Sequence, residues 1–163
     1  MTPRVGLGFD AHRLAAGRPL RLGGVEIPHD RGLAGHSDGD VLLHAIARAL
    51  LGALGAGDLG QHFPSSDPRW HGAESAVFVR EALARARRAG FAVGNLDATV
   101  IAEAPRLAPH QEAMRRRVAE LLEAPLAAVN LQITSTDGLG AIGRGEGIAA
   151  QAVVLLAAAG AVG

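Results

Sequence analysis

Cysteine and lysine are both missing from the 163-residue chain, aromatic residues make up only 3% of it, and 16 acidic side chains cancel 16 basic ones. Without cysteine there is neither a disulfide framework nor a thiolate metal site, so any bound metal must be held by imidazole, carboxylate or backbone oxygen. Without lysine all 16 Lys-or-Arg positions are arginine, and no lysine is available for a mechanistic role. The balanced charge gives no reason to expect nucleic acid as a partner. The longest apolar run, AVVLLAAAGAVG at residues 152–163, is too short to cross a bilayer, and the first residues show no signal-peptide pattern. The expectation is a cytoplasmic protein. Its length and the lack of linkers or repeats predict one domain over residues 1–163.

Against those absences, the periodicity is informative. Alternation in PRVGLGF predicts a first strand running into GFDAHRL, and LRLGGVEIP reads as a hairpin around Gly23-Gly24. Ser37 or Asp38 would cap a helix through DVLLHAIARALLGAL that Gly55 and Gly57 stop. The next segment, GDLGQHFPSSDPRWHGAES, has the composition of an ordered loop and is long enough for a functional one. A helix over residues 74–89 follows, then a strand in NLDATVIAE, a helix in PHQEAMRRRVAELLEA and a strand in AVNLQITST. The tail IAAQAVVLLAAA fits strand or helix, and we read it as strand. The fold class is therefore α+β: a two-layer α/β sandwich, with a mixed sheet of about four main strands, a short hairpin and three helices on one face. The other sheet face needs cover, which another subunit could provide.

In extended backbone residues i and i+2 point to the same side, so Asp10 and His12 can converge. Two such residues are either hydrogen-bonding partners or two corners of a metal site. A further imidazole on a rigid element would complete two histidines and a carboxylate with one tetrahedral position open, the pattern of a catalytic zinc. His44, on the helix and one turn beyond Asp40, is the candidate; a core histidine is the alternative. Capping accounts for Ser37 and Asp38 in GHSDGDVLLH but leaves His36 and His44 without a reason. His36, just before the helix start, is placed to meet an anion.

Two further loops are rich in oxygen ligands and glycine. TSTDGLG at residues 134–140 offers three hydroxyls and a carboxylate at a strand end, suited to phosphate and a hard cation. GRGEG at residues 143–147 sets Arg144 and Glu146 between glycines that allow close approach. Turn chemistry alone also accounts for those glycines. EAPRLAP reads as a simple connection from strand to helix, with Pro105 ending the strand.

Taken in order, GFDAHRL, GGVEIP, GHSDGDVLLHAIARALLGALGAGDLGQHFPSSDP, NLDATVIAEAPRL and TSTDGLGAIGRGEGIAAQAVVLL resemble the 2-C-methyl-D-erythritol 2,4-cyclodiphosphate synthase family from about residue 4 to about residue 157. The resemblance implies a lyase of the non-mevalonate isoprenoid pathway. Such an enzyme releases CMP from 4-diphosphocytidyl-2-C-methyl-D-erythritol 2-phosphate, as a homotrimer with active sites between subunits. It implies Asp10, His12 and His44 as zinc ligands and Asp137 as a magnesium or manganese ligand. It implies His36 and Ser135 as catalytic residues that steady the transition state. For the substrate it implies contacts from Asp10, His12, His36 and Ser37, with Asp58 and Gly60 on the methylerythritol unit. The loop of Phe63, Pro64, Ser65, Ser66 and Asp67 would lie alongside. Ala102, Glu103, Ala104, Pro105, Arg106 and Leu107 would cradle cytosine, and Thr134, Ser135, Thr136 and Asp137 would meet the diphosphate. Arg144 would tie subunits near the threefold axis or bind phosphate.

The chain departs from the family pattern in places. Asp137 stands where glutamate is frequent, Ser135 where threonine is usual and Ser65 where aspartate is common. Ala141 and Ile142 replace a Phe-Thr pair near the threefold cavity, so the resemblance implies nothing about an isoprenoid ligand there. Two rival functions share these residues: a zinc-dependent phosphoester hydrolase, and a non-catalytic trimeric nucleotide-binding module.

Overall fold

The computed structural model describes residues 1–162. The N-terminal alternation becomes a single strand of 13 residues, β1 (Arg4–Ala16). It does not stop at the Asp-x-His motif but carries Asp10 and His12 in its middle, paired opposite Ala150 and Ile148. A hairpin of β2 (Leu20–Leu22) and β3 (Val25–Ile27) follows, and β4 (Arg31–Leu33) returns antiparallel to the end of β1. Then come α1 (Val41–Leu54), a one-turn α2 (Leu59–His62) and α3 (Ala76–Arg88). The chain ends with β5 (Phe91–Ile101), α4 (Gln111–Leu122), β6 (Val129–Thr134), a one-turn α5 (Gly140–Gly143) and β7 (Gly147–Ala158). The tail is thus a strand, as read from the sequence. Strand β5 starts four residues before Asn95, because a bulge at Gly94 breaks the alternation that marks its beginning.

The main sheet runs β4-β1-β7-β5-β6, antiparallel except for the β5–β6 pair, whose strands are joined by the α4 crossover. Helices α1, α3 and α4 cover one face. Helix α1 is buried nearly all round, between the sheet and α3, and its more open positions, His44, Arg48 and Gly52, recur every fourth residue as one stripe. The approach of α1 to the sheet depends on small residues. A Cβ on Gly6 would lie 1.9 Å from the Ala49 carbonyl oxygen, and Ala150 and Ala152 on β7 are fully buried beside them.

On the other face Val5, Leu7, Phe9 and Val153 are exposed, Leu7 and Phe9 by 67% and 56%. Beside this apolar patch, Asp97 accepts hydrogen bonds from Asn130 and Gln132. No element of the chain covers this face among the described residues.

The N-terminus of α1 differs from the sequence reading. The cap is Asp40, not Ser37 or Asp38; its carboxylate accepts from Leu43 N–H at 3.1 Å. The same carboxylate accepts from the Gly23 and Gly24 amides at 3.0 and 2.7 Å, pinning the hairpin turn to the helix start. Burial raises the Asp40 pKa, although the backbone donors from Gly24, Leu43 and Gly23 act in the opposite direction.

Candidate metal centre

Because β1 stays extended through the motif, Asp10 and His12 project toward α1, whose first turn carries His44. One ligand atom from each of the three lies within 4.8 Å of the others. Asp10 Oδ2 is 3.2 Å from His12 Nε2 and 3.2 Å from His44 Nδ1, and the two imidazoles meet edge to face at 4.8 Å. His12 Nδ1 donates to the Gly39 carbonyl at 2.7 Å, which fixes a proton there and leaves Nε2 as the ring atom that faces Asp10. Only glycine fits where that carbonyl is presented: Gly39 has a φ of +78°, and a Cβ there would lie 2.3 Å from the Leu33 carbonyl oxygen. When Nε2 gives up its proton, its lone pair faces the carboxylate, and a cation between the two stabilises that arrangement. The donor set of two imidazoles and one carboxylate therefore fits a divalent transition metal.

The charges agree with this geometry. Burial opposes ionisation of Asp10, but hydrogen bonds and charge from His12 and His44 outweigh it and hold the carboxyl well below its usual range. Burial also opposes charge on His12, and Asp10 outweighs that, so the His12 pKa is raised.

The triad forms the floor of a cleft of ≈ 250 Å³. His36, Ser37 and Arg48 border it on the helix side, and Gly60, Phe63 and Ser65 border it from the following loop. Phe63 is held by Phe78 at 4.6 Å and Trp70 at 5.2 Å, so the aromatic wall is a packed cluster and not a free flap. Asp58 lies just outside; its carboxylate accepts from Arg48 at 2.7 Å and its N–H donates to Gln61. Pro64 is half-buried and Ser66 exposed, and Asp67 is turned onto Arg69, whose side chain and backbone bonds lower its pKa. Ser37 is 95% buried and its hydroxyl is engaged with His44, Ser75 and the Gly39 amide, so it meets the cleft from within a network.

The remaining sequence candidates lie elsewhere on the same chain. Asp10, Ala150, Val100 and Ile133 form one row across β1, β7, β5 and β6. The segments 102–107 and 134–137, which follow β5 and β6, therefore sit at the same end of the sheet as the triad but two or three strands away, about 10–15 Å. They adjoin each other, with Ala102 N–H donating to Thr134 O at 3.0 Å. Ala102 and Leu107 are buried while Glu103, Ala104 and Arg106 are exposed, and Pro105 is half-buried. In the second loop Thr134, Ser135 and Asp137 are surface groups; Ser135 Oγ accepts from Asp137 N–H at 3.2 Å, and Thr136 Oγ donates to Leu139 O at 2.6 Å. None of these residues lines the triad's cleft. Arg144 pairs with Glu146 at 2.6 Å, beyond the loop.

A family model described as the YgbB family matches residues 3–157. The chain belongs to the YgbB family. It is 55% identical over 153 residues to a 2-C-methyl-D-erythritol 2,4-cyclodiphosphate synthase of Bacillus cereus, covering 94% of this chain and 97% of that one. It is 58% identical over 149 residues to the bifunctional enzyme IspD/IspF of Erythrobacter litoralis, covering 91% of this chain but 39% of that longer one. Among solved structures, a 2C-methyl-D-erythritol-2,4-cyclodiphosphate synthase in a CDP-bound form superposes with a TM-score of 0.88 at 40% identity, covering 94% of this chain and all of that one.

Three polar residues at this YgbB-family site escaped the sequence reading in their observed roles. Arg48 carried a signal, since it is one helical turn beyond His44. Asp38 was read as a cap, and Ser75 is brought to the site only by the packing of α3 against α1, which no local pattern marks.

Proposed function

We propose that this chain converts 4-diphosphocytidyl-2-C-methyl-D-erythritol 2-phosphate to 2-C-methyl-D-erythritol 2,4-cyclodiphosphate and CMP, as a cytoplasmic homotrimer with active sites between subunits. The observation that carries the reading is the convergence of Asp10, His12 and His44 beneath an open cleft. The identity to synthases over nearly the whole chain supports it.

In the reaction an oxygen of the 2-phosphate forms a bond to the β-phosphorus while the bond from that phosphorus to the α-phosphate's bridging oxygen breaks. No protein nucleophile is required, and the attacking phosphate is already ionised near neutral pH, so a general base has little to do. The barrier is charge repulsion and the entropy of closing a flexible chain into a ring, which positioned donors and cations lower. Zinc held by Asp10, His12 and His44, and magnesium or manganese at Asp137, would supply Lewis acidity and countercharge to the phosphate oxygens.

The chain's own groups divide the remaining tasks. His36 and Ser135 donate to oxygens whose charge grows in the transition state. Asp58 and Gly60 orient the methylerythritol hydroxyls, with residues 63–67 alongside. The backbone of residues 102–107 receives cytosine, and the hydroxyls of Thr134, Ser135 and Thr136 meet the diphosphate. Arg48, the only arginine bordering the cleft among the described residues, adds a fixed positive charge. The separation of the triad from segments 102–107 and 134–137 within one chain supports a site completed by a neighbour. The uncovered apolar face of β1 and β7 supplies an interface for it.

The test is turnover of the cytidine diphosphate substrate with product analysis, alongside native mass and metal content. The expected result is a trimer with bound zinc, a cyclic product and loss of turnover in His12→Ala. A linear phosphate product would instead indicate a zinc hydrolase, and CMP-group binding without turnover a nucleotide-binding module.

A further inference from the structure

Ser75 occupies the N-cap position of α3, yet its side chain makes no capping bond. The hydroxyl is turned inward and the residue is completely buried. There it lies 2.9 Å from His44 Nε2, the ring nitrogen opposite the one that faces Asp10, and it donates a hydrogen bond to Asp38. Asp38 also accepts from the Asp40 amide at 3.0 Å and the Ser75 amide at 3.0 Å, with Arg21 Nε 3.9 Å away.

Counting protons fixes the direction of this chain. Each Asp38 carboxyl oxygen accepts a backbone N–H, and the Ser75 hydroxyl donates to Asp38 as well. That leaves the Ser75 lone pairs for a donor, and His44 Nε2 is within reach. The Ser37 hydroxyl, 3.1 Å from the same nitrogen, accepts from the Gly39 amide and has Ser75 Oγ at 3.3 Å as an acceptor for its own proton, so both hydroxyls can receive the His44 N–H. A serine that forgoes its helix cap and is fully buried against a carboxylate and an imidazole is placed against local preference, as residues serving a site often are.

We propose that Ser75 and Asp38 are positioning residues that fix the His44 proton on Nε2 and present Nδ1 to the metal. His12, held through the Gly39 carbonyl, presents Nε2. The two imidazoles are thus preset in opposite tautomers by two different outer partners, one a neutral carbonyl and the other a hydroxyl backed by a charge. The inference rests on the metal centre proposed above. Outer partners of this kind orient the ring and raise its basicity, and their loss weakens metal binding.

Two measurements test it. In zinc-loaded wild-type protein labelled with ¹⁵N-histidine, two-bond ¹H–¹⁵N correlations should show His44 with its proton on Nε2 and His12 with its proton on Nδ1. In chelator competition, Ser75→Ala should bind zinc about 10–100-fold more weakly than wild type. Asp38→Asn, which keeps an acceptor oxygen but removes the charge, should show a smaller loss. A folded Ser75→Ala that binds zinc within about twofold of wild type overturns the proposal, as does a His44 proton on Nδ1. If Ser75→Ala does not fold, the wild-type tautomer and Asp38→Asn decide. A wild type that binds no zinc would refute the metal centre and this proposal with it, whereas zinc bound with the His44 proton on Nδ1 would refute the proposal alone.

Discussion

Gly8 on β1 and Ala45 on α1 touch backbone to backbone: a Cβ on Gly8 would lie 1.9 Å from the Ala45 carbonyl oxygen and 2.7 Å from the Ala49 amide. This contact sets the distance between the strand that carries Asp10 and His12 and the helix that carries His44. Gly8→Ala should therefore push the two elements apart, costing about 3 kcal/mol or more in stability. Zinc binding should fall in the fraction that remains folded. Thermal unfolding with and without zinc checks both effects, and a variant with wild-type melting and zinc affinity would contradict the contact.

The pH dependence of the metal-free protein follows from the directions at Asp10 and His12. Asp10 is lowered, so its stabilising contribution is complete above the unfolded carboxylate value near 4 and is lost as pH falls through the lower folded value. His12 is raised, so its contribution is complete below the unfolded value of about 6.5 and is lost as pH rises through the higher folded value. The contribution of this pair should be greatest between those two windows. Zinc must displace the His12 proton, so its affinity should rise about tenfold per pH unit below the raised His12 pKa and then level off. Calorimetric melting and chelator competition across pH measure the two effects.

Arg48 reaches Asp58 at 2.7 Å and places its Nε, buried without a hydrogen-bond partner, 3.8 Å from Asp10. A charged hydrogen bond to a substrate phosphate is worth about 1.5–3 kcal/mol. Arg48→Ala should thus lower kcat/KM about 10–100-fold with zinc content unchanged, and Arg48→Lys should recover only part of the loss, since an ammonium lacks the planar fork. Unchanged kcat/KM would remove Arg48 from the site.

On the uncovered sheet face Leu7 pairs opposite Val153. Leu7→Asp puts a charge into the proposed subunit interface. The expected outcome is a monomer by native mass spectrometry that melts as a folded protein and retains zinc but does not turn over. A fully active monomer would refute the shared active site.

The elements with strong periodicity were legible in the sequence. The alternation of β1, the 3.6-residue pattern of α1 and the Asp10-x-His12 spacing each express a local geometry that residue order alone determines. The helix start in HSDGD was misread because Ser37, Asp38 and Asp40 are all competent caps. Only distant partners decide among them: the Gly23 and Gly24 amides select Asp40, while His44 and Ser75 draw the other two into the site. The first residues of β5 were hidden by the Gly94 bulge, and the single turns α2 and α5 are too short to show a period. Arg48 was visible only as a position on the His44 stripe, and Ser75 was not visible at all, because its neighbours are 31 and 37 residues away in sequence.

The row from Asp10 to Ile133 keeps the triad and the nucleotide-facing loops apart on every copy. In the proposed trimer each polypeptide then serves two reaction chambers, one through each end of that row. A single faulty copy would impair both chambers it borders, so mixing intact and damaged subunits should erode output faster than the damaged share alone.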